Sequence, residues 1–277
     1  MSRWGVSPLL RNNKRGNKMR KFLFGAVMMA LAPFCSQAAL AQSDVTLKII
    51  TPAVTANAGI RDLAMGFEKE MGIKVQIQTL NMAKMMDELK GGTPPAADIV
   101  FLPVALMDQA QTDKNIVNNS RMMIGRVRIG LAVHKGDPTP DISTVDKLAA
   151  VLKAADSVMY SNPASGSMEA RIIDGMLNAH PEFAGVKRKI SMNGEGGQAV
   201  ARGEGQMALQ LICEIVNHPD QLTNVGPVPD SLGAWIDSAA AVTSRAPHPK
   251  EAAQFLKYAT QPGTYSLWLG KGLERMK

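Results

Sequence analysis

Tyr160-Ser161-Asn162-Pro163-Ala164-Ser165-Gly166-Ser167 reads as the end of a strand, a small polar turn and the start of a helix. Ile172, Ile173, Met176 and Leu177 follow at helical spacing, so a helix from Met168 to Leu177 has an apolar face to bury. Ser165 and Ser167 are helix-capping residue types. A helix start bordered by hydroxyls and a glycine presents free backbone N–H groups and partial positive charge, which suits an anion. The same strand-turn-helix unit recurs on both sides of this stretch.

Towards the N-terminus, Val45, Leu47 and Ile49 alternate as a strand, Thr51 to Asn57 is a small-residue turn, and Ile60, Leu63, Ala64 and Phe67 predict a helix. Val75, Ile77 and Thr79 form a second strand, and Asn81 precedes a helix through Met82, Met85, Met86 and Leu89. Asp98 to Leu102 is an apolar strand of the buried parallel type, broken by Pro103. Arg126–His134 predicts a strand, Ile142–Ala154 a helix and Ser157–Tyr160 the strand that feeds the opening turn. Beyond it come a short strand at Lys189–Met192, the turn Asn193-Gly194-Glu195-Gly196-Gly197, and a helix at Gln198–Arg202. Gln206–Ile215 reads as one long strand-like run, Thr223–Val228 and Ala239–Thr243 as strands, and two helices close the chain. Such alternation predicts a doubly wound α/β sheet, whose ligands bind off the carboxyl ends of strands. Thr55, Asn81 and Pro103-Val104 lie at such ends.

The chain has 277 residues, 45% of them hydrophobic, ample for a sizeable core. Its net charge of +7 suggests a basic protein, but seven of the 31 basic residues and no acidic one precede residue 42. The remaining 24 basic and 24 acidic residues balance, so no nucleic-acid partner is expected. Lys18, Arg20 and Lys21, the apolar run Phe22–Ala32 and the small-residue site Ala39-Leu40-Ala41 predict a cleaved export signal over residues 1–41, with Met19 an alternative start. Export to the periplasm follows. Cys35 leaves with the signal, so Cys213 alone remains and no intrachain disulfide forms.

Six segments in order resemble the periplasmic solute-binding proteins of ABC transporters, in the branch related to the molybdate-binding protein. They are TPAVTANAGIRDL at Thr51–Leu63, PPAADIVFLP at Pro94–Pro103, GRVRIGLAVHKG at Gly125–Gly136, PDISTV at Pro140–Val145, YSNPASGS at Tyr160–Ser167 and GEGQMALQLICEI at Gly203–Ile215. The resemblance implies two α/β lobes joined by two crossing strands, near Arg128–Val133 and Ala239–Thr243, with residues 44–128 and 243–277 in one lobe and 133–239 in the other. It implies a monomer that captures a small anion and delivers it to a membrane permease, without a cofactor and without chemistry. The site residues it implies are Thr55 and Asn81 from the first lobe. From the second they are Ser161, Asn162, Ser165, Gly166 and Ser167, the turn with Asn193 and Gly194, and Gln210, with Gln210 or Leu211 standing where molybdate binders place a tyrosine.

Hydroxyls, an amide and helix N-termini hold a dehydrated oxyanion through charge-assisted hydrogen bonds, whereas a carboxylate more often takes an arginine fork. Arg171, one turn into the key helix, is the candidate for that fork, and Glu169 is expected to point away from an anion. A molybdate-like oxyanion and a small carboxylate therefore stay open. An exported α/β enzyme and a sensor on the same fold are the alternatives. No G-x-S-x-G elbow, S-x-x-K motif or zinc spacing occurs. Gly194-x-Gly196-x-x-Ala199, with Glu214 twenty residues on, matches a dinucleotide fingerprint only weakly, and Met82, Met85 and Met86 are spaced for core packing rather than copper.

Overall fold

The computed structural model describes residues 44–91 and 96–276; the expected export signal lies outside them. The chain begins with β1 (Thr46–Thr51), a helical turn α1 (Ala53–Thr55) and helix α2 (Arg61–Met71). β2 (Lys74–Thr79), α3 (Met82–Gly91), β3 (Ile99–Pro103) and α4 (Val104–Thr112) follow. The long strand β4 (Met122–His134) leads to α5 (Val145–Ala154), β5 (Val158–Ser161), α6 (Met168–Ala179) and β6 (Arg188–Ser191). Then come α7 (Gly196–Ala201), β7 (Met207–Leu211), α8 (Ile212–Val216) and β8 (Leu222–Pro227). β9 (Trp235–Val242), α9 (Pro249–Thr260), α10 (Tyr265–Gly270) and β10 (Leu273–Glu274) close the fold.

The α/β class is as the alternation predicts. The strands run in the order β2-β1-β3-β9-β4-β7-β5-β6, with β8 and β10 also on β4. β1 pairs in parallel with β2 and β3, and β5 in parallel with β6 and β7. β4 joins these two parallel sets: Met122–Arg128 lies against β9, and Ile129–Val133 against β7. β3 is buried throughout and β9 from Ser238 to Val242, with β9 paired to β3 on one side and β4 on the other. One large core carries Phe67, Phe255, Phe183 and Trp268, all fully buried. Among the described residues no helix is long and apolar enough to cross a membrane.

One expected element divides. Gln206–Ile215 is not a single strand: β7 ends at Leu211 and α8 begins at Ile212. A short apolar run buried on every side carries no periodicity to tell strand from helix. The turn places Glu214 in the first turn of α8 instead of at a strand end.

Candidate functional site

The carboxyl ends of both parallel sets border one cleft. A cavity of about 400 Å³ is lined by Thr55, Thr79, Asn81 and Pro103 from the β1–β3 side, and by Ser165, Ser167, Glu169, Glu195 and Leu211 from the β5–β7 side. A second cavity of about 360 Å³ shares Ser165, Ser167, Glu169 and Glu195, and adds Ser161, Asn162 and Gly194.

The opening turn is built as its residue types suggest. Asn162 Oδ1 accepts from the Ala164 N–H at 2.9 Å, Gly166 sits at φ 82° in the left-handed region, and Ser167 caps α6 by accepting from Ala170 N at 3.3 Å. Ser165 is no cap of α6; its Oγ donates to Asn162 O at 2.7 Å. Asn81 Oδ1 caps α3 through Lys84 N at 2.9 Å. Ser161 differs from all of these. It is 7% exposed and its Oγ is buried with no hydrogen-bond partner.

Thr55, Asn81, Ser161, Asn162, Ser165, Gly166, Ser167 and Gly194 thus come together around the two cavities. Gln210 lies just beneath them, fully buried, accepting from Gly197 N and donating to Glu195 Oε2, both at 2.5 Å. Asn193 is exposed, and its carbonyl accepts from Ser191 and Arg202. Arg171 is exposed and lines neither cavity. It stands two residues from Glu169, on the opposite face of α6, because successive helical positions turn by about 100°. The expected roles of these two residues are reversed: Glu169 faces the cleft.

Glu169, Glu195 and Glu214 form a group that the sequence reading does not bring together: Glu169 is expected to point away from an anion, and Glu214 enters through a weak dinucleotide match. Glu169 is 6% exposed, and burial, then the charges of Glu195 and Glu214, hold its carboxyl well above the usual carboxylate range. Glu214 is pushed up to about 7 by burial and by Glu195, against the hydrogen bonds at 3.2 Å that Asn57 Nδ2 donates to it. Burial also raises Glu195. The sequence held one signal of this, an acidic residue at position 214 inside an apolar run.

The family model described as bacterial extracellular solute-binding protein matches residues 47–274. The chain belongs to that family. This solute-binding protein has the type II periplasmic binding-protein fold. It aligns with the Azotobacter vinelandii periplasmic molybdate-binding protein at a TM-score of 0.61 and 14% identity, over 83% of this chain and 100% of that one. With the sulfate-binding protein SubI of Mycobacterium tuberculosis H37Rv the TM-score is 0.62 at 15% identity, over 84% and 88%. At such identities the likeness is one of fold. A curated relative tells more: the chain is 30% identical over 244 residues, 84% of this chain and 88% of that protein, to an aconitate isomerase of Pseudomonas sp. That finding overturns the expectation of a chain that performs no chemistry. Moving a proton needs only a carboxyl group in the right place, with no nucleophile elbow or zinc site.

Proposed function

We propose that this solute-binding protein closes on a small polycarboxylate of the aconitate type and moves one proton within it. The observation that carries the reading is the meeting of Glu169 and Glu195, with Glu214 close by, at a cleft where no lysine, arginine or histidine lines either shared cavity among the described residues. A fully ionised trio repels a polycarboxylate. Neutral carboxyl groups instead donate O–H hydrogen bonds to it, and charge-assisted bonds of that kind are strong. The hydroxyls of Thr55, Ser161 and Ser167 and the Asn81 amide complete a wall of neutral donors. Cis–trans isomerisation of aconitate by an allylic proton shift is redox-neutral and needs only proton transfer, which carboxyl groups can supply.

In this reading the two parallel sets are lobes that part around β4 near Arg128–Ile129. The return crossing runs through Val228–Ala234, where Val228 N donates to Ile129 O and Ile129 N to Ala234 O. In this reading β9 goes with the first lobe, and the crossing comes about ten residues earlier than the Ala239–Thr243 crossing expected from the sequence. Family membership also supports presentation of the captured anion to an ABC permease outside the cytoplasm.

Thermal melts with cis-aconitate, trans-aconitate, citrate, molybdate and sulfate test the ligand, since a compound that binds only the folded form raises Tm. The aconitates are expected to shift Tm by several degrees and to interconvert, as followed by NMR. A shift with molybdate or sulfate alone sinks the reading. Within the site, Ser161→Ala is expected to weaken binding about tenfold, because its buried hydroxyl has only a ligand to meet. Ser165→Ala, whose hydroxyl is already bonded to Asn162, should change affinity less than about threefold, as read by calorimetric titration.

A further inference from the structure

We infer that Glu169 is the group that carries the proton between the two carbon ends of the ligand, and that the Ser161 hydroxyl holds one of the ligand's carboxylates beside it. The inference rests on the isomerase reading above and assigns its chemistry to one residue of three.

The three carboxyl groups differ in what already holds them. Both oxygens of Glu214 accept from Asn57 at 3.2 Å. Glu195 Oε2 accepts from Gln210 at 2.5 Å, and the other end of that amide is anchored on Gly197 N. Glu169 accepts a backbone hydrogen bond from Leu211, but its Oε1 is buried and has no partner. An unsatisfied buried oxygen costs stability unless something else meets it. The second orphan of this kind in the cleft is Ser161 Oγ, on the end of the strand that leads into α6. Both residues border the same cavity. Two uncommitted polar atoms, one an acid and one a hydroxyl, thus point to one ligand position from β5 and from the first turn of α6.

The groups facing Glu169 are Glu195, Glu214 and the Cys213 thiol; none is a cation. In the form that turns over, Glu169 is ionised while Glu195 and Glu214 stay neutral, and a carboxylate held there is a stronger base than one in water, which suits abstraction from carbon. In the step, a Glu169 oxygen takes a proton from the methylene carbon next to a ligand carboxylate. The C–H electron pair passes into the adjoining double bond and carboxylate as an enolate. The Glu169 O–H then returns the proton to the far carbon of the allylic unit, and the double bond has moved. One C–H bond breaks, one forms, and Glu169 ends as it began. Glu195 Oε2 is already engaged by Gln210, so Glu195 serves as a donor to the ligand and not as the proton carrier.

Glu169→Gln preserves size and a hydrogen-bond donor while removing the exchangeable acid. With trans-aconitate as probe, it is expected to bind within about threefold of the wild type, yet to lose isomerisation by at least about a hundredfold. Deuterium wash-in to the ligand in D2O, read by NMR, should fall with it. If Glu169→Gln misfolds, Glu169→Asp takes its place, and a loss of turnover at least tenfold greater than any loss of affinity is the supporting result. Turnover in Glu169→Gln within tenfold of the wild type overturns the assignment and leaves the isomerase reading standing. Wild-type protein that binds aconitate without turnover or wash-in overturns the isomerase reading itself.

Discussion

Gly196→Ala is expected to lower stability by about 3 kcal/mol and to weaken anion binding at least tenfold. A Cβ built at Gly196 lies 2.8 Å from Tyr160 Cα and 2.9 Å from Met159 O. Both are backbone atoms of β5, so no rotamer change relieves the overlap, and α7 or the strand must move as a unit. Gly196 is the first residue of α7, and Glu195 immediately precedes it. The closeness of that turn to β5 is therefore what brings Glu195 to the cleft beside Ser161, the last residue of β5. Gly197 tightens the same joint, because its added Cβ meets Gln210 Oε1 at 2.4 Å, and Gln210 is the residue that orients Glu195. Urea denaturation measures the stability loss, and titration with trans-aconitate measures the affinity. A variant within about 0.5 kcal/mol of the wild type, with unchanged affinity, contradicts this account of how the turn is held.

The architecture was legible because its strands announce themselves. Val45-x-Leu47-x-Ile49 alternates, Asp98 to Leu102 ends at a proline, and Asn81 and Ser167 are capping residues that do cap. These are local signals, and the carboxyl ends they define are where the cavities lie. The site's acids were harder to read, although half of the information was present. Ile173 and Met176 stand four and seven positions after Glu169, so the periodicity that predicted a buried face of α6 also put Glu169 on it and Arg171 opposite. Charge preference argued the other way, since a carboxylate at an anion site looks repulsive. That preference fails when burial keeps the carboxyl group neutral, and the groups that bear on Glu169, namely Glu195, Leu211 and Glu214, stand 26 to 45 positions further along. The pairing of Gln210 with Glu195 and of Asn57 with Glu214 spans 15 and 157 positions and has no local signature at all.

Lowering the pH from about 8 to about 5 is expected to raise the Tm of the unliganded protein, the reverse of ordinary acid destabilisation. Glu214 titrates near 7 in the folded chain, against an ordinary value of 4.5. Between those values the folded form keeps a proton that the unfolded chain has released, so stability falls as pH rises through the window. The contribution is fully present below about 4.5 and lost above about 7. Glu214 alone is worth on the order of 3 kcal/mol across that range, and the raised carboxyls of Glu169 and Glu195 act in the same direction. The opposing acids, Asp141 and Glu204, are held below their usual range by Lys147 and Arg202, but both are fully exposed and titrate at lower pH, outside the window. Glu214→Gln keeps an acceptor for Asn57 and removes the titration. Its Tm should therefore be higher than the wild type's at pH 8, nearly equal at pH 5, and flatter between. A wild-type Tm that is level or rises from pH 5 to pH 8 means that the cluster is ionised in the folded protein. In that case neutral carboxyl donors cannot be what receives an anion in this cleft.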